Sequence, residues 1–573
     1  MSRRTRIIIV GGVAGGASAA ARARRLDESA HIVLFERSSH ASFANCGLPY
    51  YMGGEISDRD DLLVADPETL KGSLALDVRT KTEVVAIDRV AKEVEVHELT
   101  TDRKYREPFD FLILSTGAAP LRPANLLAKV GLKHPRVVSL RNLEDVDQLK
   151  GVVDSGIQKA IVLGGGFIGV EVAEQLVHRG VATTLVEKNP HVLPPFDAEM
   201  VAPLEQALVE RGIALHLSDA VVDLEPGGRG QGVRAILTDG RVLEGDVVVL
   251  AIGVQPENLL ARTAGLETND RGAVKVNEHL QTNDPHIYAV GDVIEVPDPI
   301  LGGSIHIPLA GPANRQGRLA ADHIIAGVQG RGDSVPPYRG SHGSAIVRVF
   351  DWTAAITGKS EKALQRAGKE PHRDYEVIYV HPYHHAHYYP GAKRLTIKLI
   401  FETSSGRILG AQAVGEESVD KRIDVLAMAI QMGATVFDLE EAELCYSPQY
   451  GSAKDAINLA GFQGANVLRG GTMPITPVEL RAALETATPP MVVDVRSPAE
   501  FDEDHIPGSI NIPLPELRRR FGEMKTDRPV VTYCTVGQRG YFAERLLRQQ
   551  GVAAVRNLTG GFTSWRSFVS GSV

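Results

Sequence analysis

An apolar run opens the chain at RIIIV, and a glycine-rich turn and an alanine-rich segment follow it in RIIIVGGVAGGASAAARARR. Adjacent apolar residues ended by glycines predict a strand buried on both faces, and the alanine-rich segment predicts a helix. HIVLFE then reads as a second strand and completes a βαβ unit. The same order returns at KAIVLGGGFIGVEVAEQLVHRG followed by ATTLVEK. DFLILSTGAAP, DVVVLAIGVQPE and HIYAVGDVIEV each predict a strand running into a turn at glycine. From about residue 331 the pattern changes to alternation. SAIVRVF, YEVIYV and RLTIKLIF predict strands of an antiparallel sheet, with helices near 417–433 and 452–461. GFQGANVLRGGTMPITP has little periodicity and predicts a linker. The last hundred residues return to α/β texture in MVVDVRS, SINIPLPELRRRF and PVVTYCTVGQRGYFAERLLRQQG.

Composition narrows the function classes. At 573 residues the chain exceeds one core and predicts several domains. A formal net charge of -9 argues against a general nucleic-acid binder, which needs clustered Lys and Arg. The basic head MSRRTR precedes an apolar run too short for a signal peptide or a membrane span, so a cytoplasmic location is expected. Three cysteines, Cys46, Cys445 and Cys534, make no disulfide framework and no zinc spacing. The four histidines of HPYHHAHYYPG match no standard metal site and predict a polar loop or strand end; no metal is expected.

The two βαβ units carry candidate dinucleotide loops. Gly164, Gly166 and Gly169 satisfy GxGxxG between a strand and a helix, where backbone amides and the helix N-terminus favour a pyrophosphate. Glu187 closes the next strand, where a carboxylate accepts ribose hydroxyls and disfavours the extra phosphate of NADP; NADH is expected, with Lys188 beside it leaving NADPH open. In the first loop Gly11 and Gly16 hold the outer positions, Val13 the middle one, and Glu36 ends the following strand. The Gly291–Asp292 turn offers an acid to a polyol chain and backbone to a phosphate.

The first loop, STG at 115–117, the second loop, AIG at 251–253 and AVGD at 289–292 together resemble the flavoprotein disulfide reductases over roughly residues 1–460. The resemblance implies FAD on the first unit and NAD(P)H on the second, with a dimerisation domain after them. The cofactor positions it implies are Gly11, Gly12, Ala14, Gly15, Gly16, Glu36, Arg37, Thr116, Gly117, Gly253, Gly291, Asp292, Pro308, Leu309 and Ala310 for the first unit. For the second they are Gly164, Gly166, Phe167, Ile168, Gly169 and Glu187, with Phe167 either a gate beside the nicotinamide or core packing.

SFANCGLPYYMGG places Cys46 where most of these reductases have CxxxxC, yet Ala41 and Tyr51 stand at the possible partner positions. One thiol beside a flavin leaves a mixed disulfide with a small thiol, or a sulfenic acid. SFANCGLPYY resembles the coenzyme A-disulfide reductases, which include forms fused to a sulfurtransferase domain. The alternative is NADH oxidase or peroxidase chemistry; Ala14, where that group usually has a His, argues against it. The resemblance implies CoA contacts at Arg22, Arg25, Ser42, Asn45 and Lys71, and a homodimer in which Tyr388 and Tyr446 reach the partner's active site. Arg22 and Arg25 lie three apart and share a helical face. A depressed Cys46 pKa is expected from a helix starting near Pro49. Cys445 is expected to be a small buried hydrophobe.

At the C-terminus, CTVGQR sets Cys534 between a strand and a helix, where successive amides form an anion nest and Arg539 is placed to hold an anionic substrate. DVRSPAEF, HIPGSIN and LTGGFTSW complete a resemblance to rhodanese sulfurtransferases over roughly 475–573. Asp494 with Arg496 reads as an ion pair, and Trp565 as core.

The expected architecture is α/β, with two Rossmann-like domains, an α+β dimerisation domain and a rhodanese domain. Its expected boundaries are 1–118 with 247–330 for FAD, 119–246 for NAD(P)H, 331–461 for dimerisation, 462–474 for the linker and 475–573 for the rhodanese domain. The expected activity is NADH-dependent reduction of a CoA persulfide, polysulfide or CoA disulfide through Cys46. A non-reductive sulfur-trafficking role is a further alternative.

Overall fold

The computed structural model describes residues 4–228, 232–523 and 528–570. The chain divides into two compact units, residues 1–188 with 219–341 and residues 189–218 with 342–573.

In the first unit both apolar runs become central parallel strands. Arg6–Val10 pairs with His31–Phe35 on one side and Phe111–Leu114 on the other, and Asp77–Arg79 and Ile287–Ala289 complete the sheet. Ile7, Ile8 and Ile9 are fully buried because both sheet faces are covered. Lys159–Leu163 is the counterpart strand, flanked by Ala182–Val186 and Val247–Leu250. The Ala14–Leu26 helix follows the first strand and packs on the Ala310–Val328 helix. A Cβ at Gly317 would stand 2.0 Å from the Gly15 carbonyl oxygen, so this close approach requires glycine.

The second unit holds two sheets. Its antiparallel sheet runs in the order Ala345–Val349, Trp352–Gly358, Ile408–Gly415, Leu395–Glu402, Tyr375–Val380, as the alternating segments predict. Residues 189–218 belong to this unit, and their Ala198–Glu210 helix packs against that sheet. The second sheet is fully parallel, in the order Pro474–Ile475, Val555–Leu558, Val530–Tyr533, Met491–Asp494, Ile510–Asn511.

The glycine-rich stretch 462–474 is not a linker throughout: a helix runs Ala456–Leu468, capped by a reciprocal Asp455–Asn458 box. Its glycines serve contact rather than flexibility. A Cβ at Gly461 would lie 2.3 Å from the Glu440 amide nitrogen, and one at Gly464 2.7 Å from Val436. The two sheets of this unit are joined directly. Thr559 Oγ1 accepts hydrogen bonds from Tyr379 N at 2.8 Å and Gln463 Nε2 at 2.9 Å, and His381 Nε2 lies 2.8 Å from Ser564 Oγ. The Ala456–Leu468 helix also packs on the edge strand Tyr375–Val380, and all six residues of the strand are buried.

Candidate active sites

Each glycine loop of the first unit is closed by the acid two dozen residues downstream. Gly12 N donates to Glu36 Oε2 at 3.0 Å, and Gly165 N donates to Glu187 Oε2 at 2.6 Å. Both carboxylates are buried at the ends of the second strands, where the sequence places the ribose-binding acids. Gly11 and Gly164 both adopt left-handed φ, at +96° and +105°, and start their turns against the strand ends at Ser115 and Ala251. Gly117 and Gly253 also have positive φ. Thr116 Oγ1 donates to the Glu257 carbonyl at 2.7 Å. Pro308 and Leu309 lead into the Ala310–Val328 helix, whose Gln316 side chain accepts from Gly291 N at 2.7 Å.

The residues fit a flavin dinucleotide. Asp292 is desolvated, which raises its carboxyl pKa; His306 Nε2 reaches its backbone carbonyl at 2.7 Å, and its carboxylate takes no hydrogen bond from the described residues. A desolvated acceptor without a protein donor fits a ligand hydroxyl. A Cβ at Gly166 would meet nothing within 4 Å, so the second loop opens where a phosphate would approach. Phe167 and Ile168 begin the helix Phe167–His178; Phe167 is half-buried and Ile168 exposed. Arg141 is a site residue without a motif in the sequence. Its guanidinium reaches Glu257 at 3.4 Å and the Thr116 carbonyl at 3.3 Å, and Glu257 also pairs with Arg37 at 3.0 Å.

Cys46 lies in a short 3-10 turn, Asn45–Gly47, and its side chain is accessible. The helix expected near Pro49 runs Leu48–Gly53, only six residues, too short to contribute a full dipole. Burial of the sulfur and the charges of Glu171 and Asp292 push the thiol above its ordinary range, opposite to the expected depression. Glu171 stands two residues beyond Gly169, accepts from Tyr50 OH at 3.2 Å, and is raised by burial to about 7. The sequence reading missed it, although its place just past the second glycine loop is a usable signal.

The CoA-type positions scatter in character. Ser42 is buried in a two-residue strand paired with Leu63–Ala65, which leads into the helix bearing exposed Lys71. Asn45 Nδ2 donates to the Arg141 carbonyl at 3.0 Å. Arg25 is exposed, but Arg22 pairs with Asp322 at 2.6 Å and its charge is already matched.

In the second unit Tyr388 and Tyr446 are exposed, with hydroxyls 3.0 Å apart. Cys445 is exposed rather than buried; it lies in the irregular segment 442–450, whose residues are exposed or half-buried. Within HPYHHAHYYPG, His385 Nδ1 lies 2.6 Å from His384 Nε2, and His381 is buried against Thr396 and Ser564. Among the described residues the carboxylates close enough to share a cation are Asp197, Glu199 and Glu361. Lys398 Nζ lies 2.6–2.9 Å from all three, so a lysine supplies the charge.

Cys534 follows the strand Val530–Tyr533 and is buried. Its loop is braced from LTGGFTSW: Phe562 N donates to the Cys534 carbonyl at 2.8 Å and Thr563 N to the Thr535 carbonyl at 2.9 Å. A Cβ at Gly561 would stand 2.2 Å from that Cys534 carbonyl oxygen. Arg539, expected to meet an anionic substrate, gives its fork to Glu500 at 2.9 and 2.7 Å. Asp494 and Arg496 form the expected ion pair at 2.7 Å, nearly inaccessible to solvent, and Trp565 is core.

Residues 5–317 match the family model described as pyridine nucleotide-disulphide oxidoreductase. Residues 344–456 match the dimerisation domain of that group, and 476–568 match a rhodanese-like domain. A coenzyme A disulfide reductase of Staphylococcus aureus is 34% identical over 80% of this chain and 99% of its own length. The structure of reduced Bacillus anthracis CoADR-RHD has 43% identity and a TM-score of 0.93, covering 99% of this chain and 98% of that one. An NAD-dependent persulfide reductase from A. fulgidus has 35% identity and a TM-score of 0.87, covering 98% of this chain and 100% of its own. The motif order, the geometry of the two loops and these matches agree: the chain belongs to the pyridine nucleotide-disulphide oxidoreductase family, as an FAD-dependent oxidoreductase carrying a rhodanese-like domain.

Proposed function

We propose that the protein uses NADH to reduce the S–S bond of a CoA persulfide, a related persulfide or polysulfide, or CoA disulfide. The observation that carries this is Cys46: an accessible thiol with Tyr51 where a second cysteine would stand. Such a thiol must find its disulfide partner in the substrate. The overall balance is NADH + H⁺ + CoA–S–SH → NAD⁺ + CoA–SH + H₂S. The coenzyme A disulfide reductase and the persulfide reductase similar to this chain support both substrate forms.

Bound FAD supplies the electron pair taken from NADH to the sulfur centre. The chain's own residues hold and orient. Glu36, Asp292 and the first glycine loop hold the flavin nucleotide, Arg37 and Arg141 add positive charge beside it, and Glu187 with Gly164, Gly166 and Gly169 holds NADH. The Cys46 thiolate attacks the substrate S–S bond, forming Cys46–S–S–CoA and releasing HS⁻ from the persulfide or CoA–S⁻ from the disulfide, with Ser42, Asn45, Arg25, Lys71 and Arg22 on the CoA side. Arg22 must share or release Asp322 to take part. Glu171, titrating at about 7 and near enough for its charge to act on Cys46, is suited to hold the proton that the leaving sulfur needs. In a homodimer, Tyr388 and Tyr446 serve the partner's site. Cys534 receives or loads sulfane sulfur.

Sulfide release from CoA persulfide, read together with NADH oxidation, tests the assignment. Cys46→Ser is expected to abolish NADH-dependent sulfide release. Cys534→Ser is expected to leave NADH-dependent reduction of CoA disulfide intact while removing sulfur loading. Full sulfide release by the Cys46 variant would refute the mechanism.

A further inference from the structure

Arg539 stands five residues after Cys534, close enough for the Cys534 side chain to raise its pKa. A guanidinium at this place is the group an oxyanion donor would use. Both of its terminal nitrogens already hold partners. Glu500 Oε1 accepts from Arg539 Nη2 at 2.7 Å and Oε2 from Nη1 at 2.9 Å. Thr535 Oγ1 donates to Glu500 Oε1 at 2.9 Å and itself accepts from Arg539 Nη2 at 2.9 Å.

Glu500 is held from the other side as well. It is the third residue of the Pro498–Glu503 helix, and its Oε2 accepts from Ser497 N at 3.0 Å and Ser497 Oγ at 3.1 Å. Five donors therefore fix this carboxylate, and they hold its pKa well below the usual carboxylate range. It is ionised at neutral pH, and turning away would cost it the helix cap. A dianionic donor arriving at Cys534 meets an arginine whose charge Glu500 already matches. An alkyl persulfide, whose departing group is a singly charged thiolate, asks less of a cation than a dianion does.

We propose that Glu500 sets the charge class of the sulfur donor at Cys534, admitting alkyl persulfides and turning away oxyanion donors of the thiosulfate type. This rests on the reading that Cys534 carries sulfane sulfur. The favoured step is Cys534–S⁻ + R–S–SH → Cys534–S–SH + R–S⁻. The donor S–S bond breaks, a new one forms on Cys534, and there is no net oxidation. The disfavoured step, Cys534–S⁻ + S–SO₃²⁻ → Cys534–S–S⁻ + SO₃²⁻, brings two more negative charges to the same mouth.

Holoenzyme is incubated without NADH with thiosulfate or with glutathione persulfide, and sulfur added to the Cys534 peptide is followed by mass spectrometry. In Glu500→Gln the thiosulfate rate is expected to rise about tenfold, the worth of one charged contact, with the persulfide rate changed far less. Glu500→Asp, which keeps the charge, is expected to stay close to wild type. Wild type supplies a second readout should the Gln variant fold poorly. Thiosulfate loading is expected to rise with ionic strength, because salt screens a repulsion; a free Arg539 would make it fall. An unchanged thiosulfate rate in folded Glu500→Gln, or loading that falls with salt, overturns the proposal. Sulfur on Cys534 from neither donor overturns the sulfurtransferase reading and the proposal with it.

Discussion

At the scale of single residues, the environment of Cys46 works against its own ionisation. Burial and the carboxylates Glu171 and Asp292 favour the thiol. Glu171 carries its charge only above about pH 7. Its repulsion of a Cys46 thiolate is therefore absent in mild acid and grows as pH rises through neutrality. Glu171→Gln is expected to speed alkylation of Cys46 severalfold at pH 8 and hardly at all at pH 6, while turnover with CoA disulfide falls because the proton holder is gone. Alkylation unchanged at pH 8 would show that Glu171 does not act on the thiol. The sequence makes Glu36 and Glu187 legible, since each ends the strand that follows a glycine loop, and Cys46 through the resemblance carried by SFANCGLPYY. Arg141 and the Glu500–Arg539 pair are not. SPAE around Glu500 reads as a helix-capping box and forms one, yet nothing local says that its carboxylate also meets an arginine 39 residues later. Cys445 shows the reverse limit: a small apolar side chain carries no signal for burial when its segment has no periodicity.

At the scale of elements, strands were legible because they are long apolar or alternating runs, and the misread element was a helix rich in glycine. Gly461 and Gly464 look like breakers in sequence and act as contact points against 436–441. Close approach and flexibility use the same residue, and only tertiary partners separate them. The edge strand Tyr375–Val380 also departs from what alternation suggests. Its apolar and polar positions are all buried because the Ala456–Leu468 helix packs on it while Thr559 and Ser564 bond at its C-terminal end, which protects an otherwise open edge. Thr559 is fully buried and its hydroxyl accepts from both Tyr379 N and Gln463 Nε2. Thr559→Val keeps the shape and removes the acceptor. Tyr379 N, a buried donor, is left unpaired at a cost of about 1–3 kcal/mol, and half-buried Gln463 loses its acceptor at a smaller cost. Denaturant unfolding of the full chain is expected to shift to a lower midpoint by that order; an unshifted midpoint would mean the edge is not held there.

At the scale of the whole molecule, the join between the antiparallel and C-terminal sheets of the second unit carries a titratable clasp. His372 bridges two carboxylates: its Nδ1 lies 2.9 Å from Glu376 Oε2, and its Nε2 contacts Glu479. Arg556 Nη2 also reaches His372 Nε2 at 3.1 Å and lies 3.6 Å from Glu479. Glu479 and Glu376 outweigh Arg556, and their hydrogen bonds raise the imidazole pKa to about 9. The same contact lowers Glu479 to about 2. A raised histidine contributes stability fully below its unfolded value near 6.5 and loses it as pH rises through about 9. A lowered glutamate contributes above about 4.5 and loses it as pH falls through about 2. The clasp is therefore strongest between about pH 4.5 and 6.5, and alkali opens it while Arg556 remains paired to Glu479. Full-length wild type and His372→Gln compared across pH should differ most in apparent unfolding midpoint near pH 6, and the difference should vanish by about pH 10. A difference that persists at pH 10 would place the contribution of His372 in packing instead of charge.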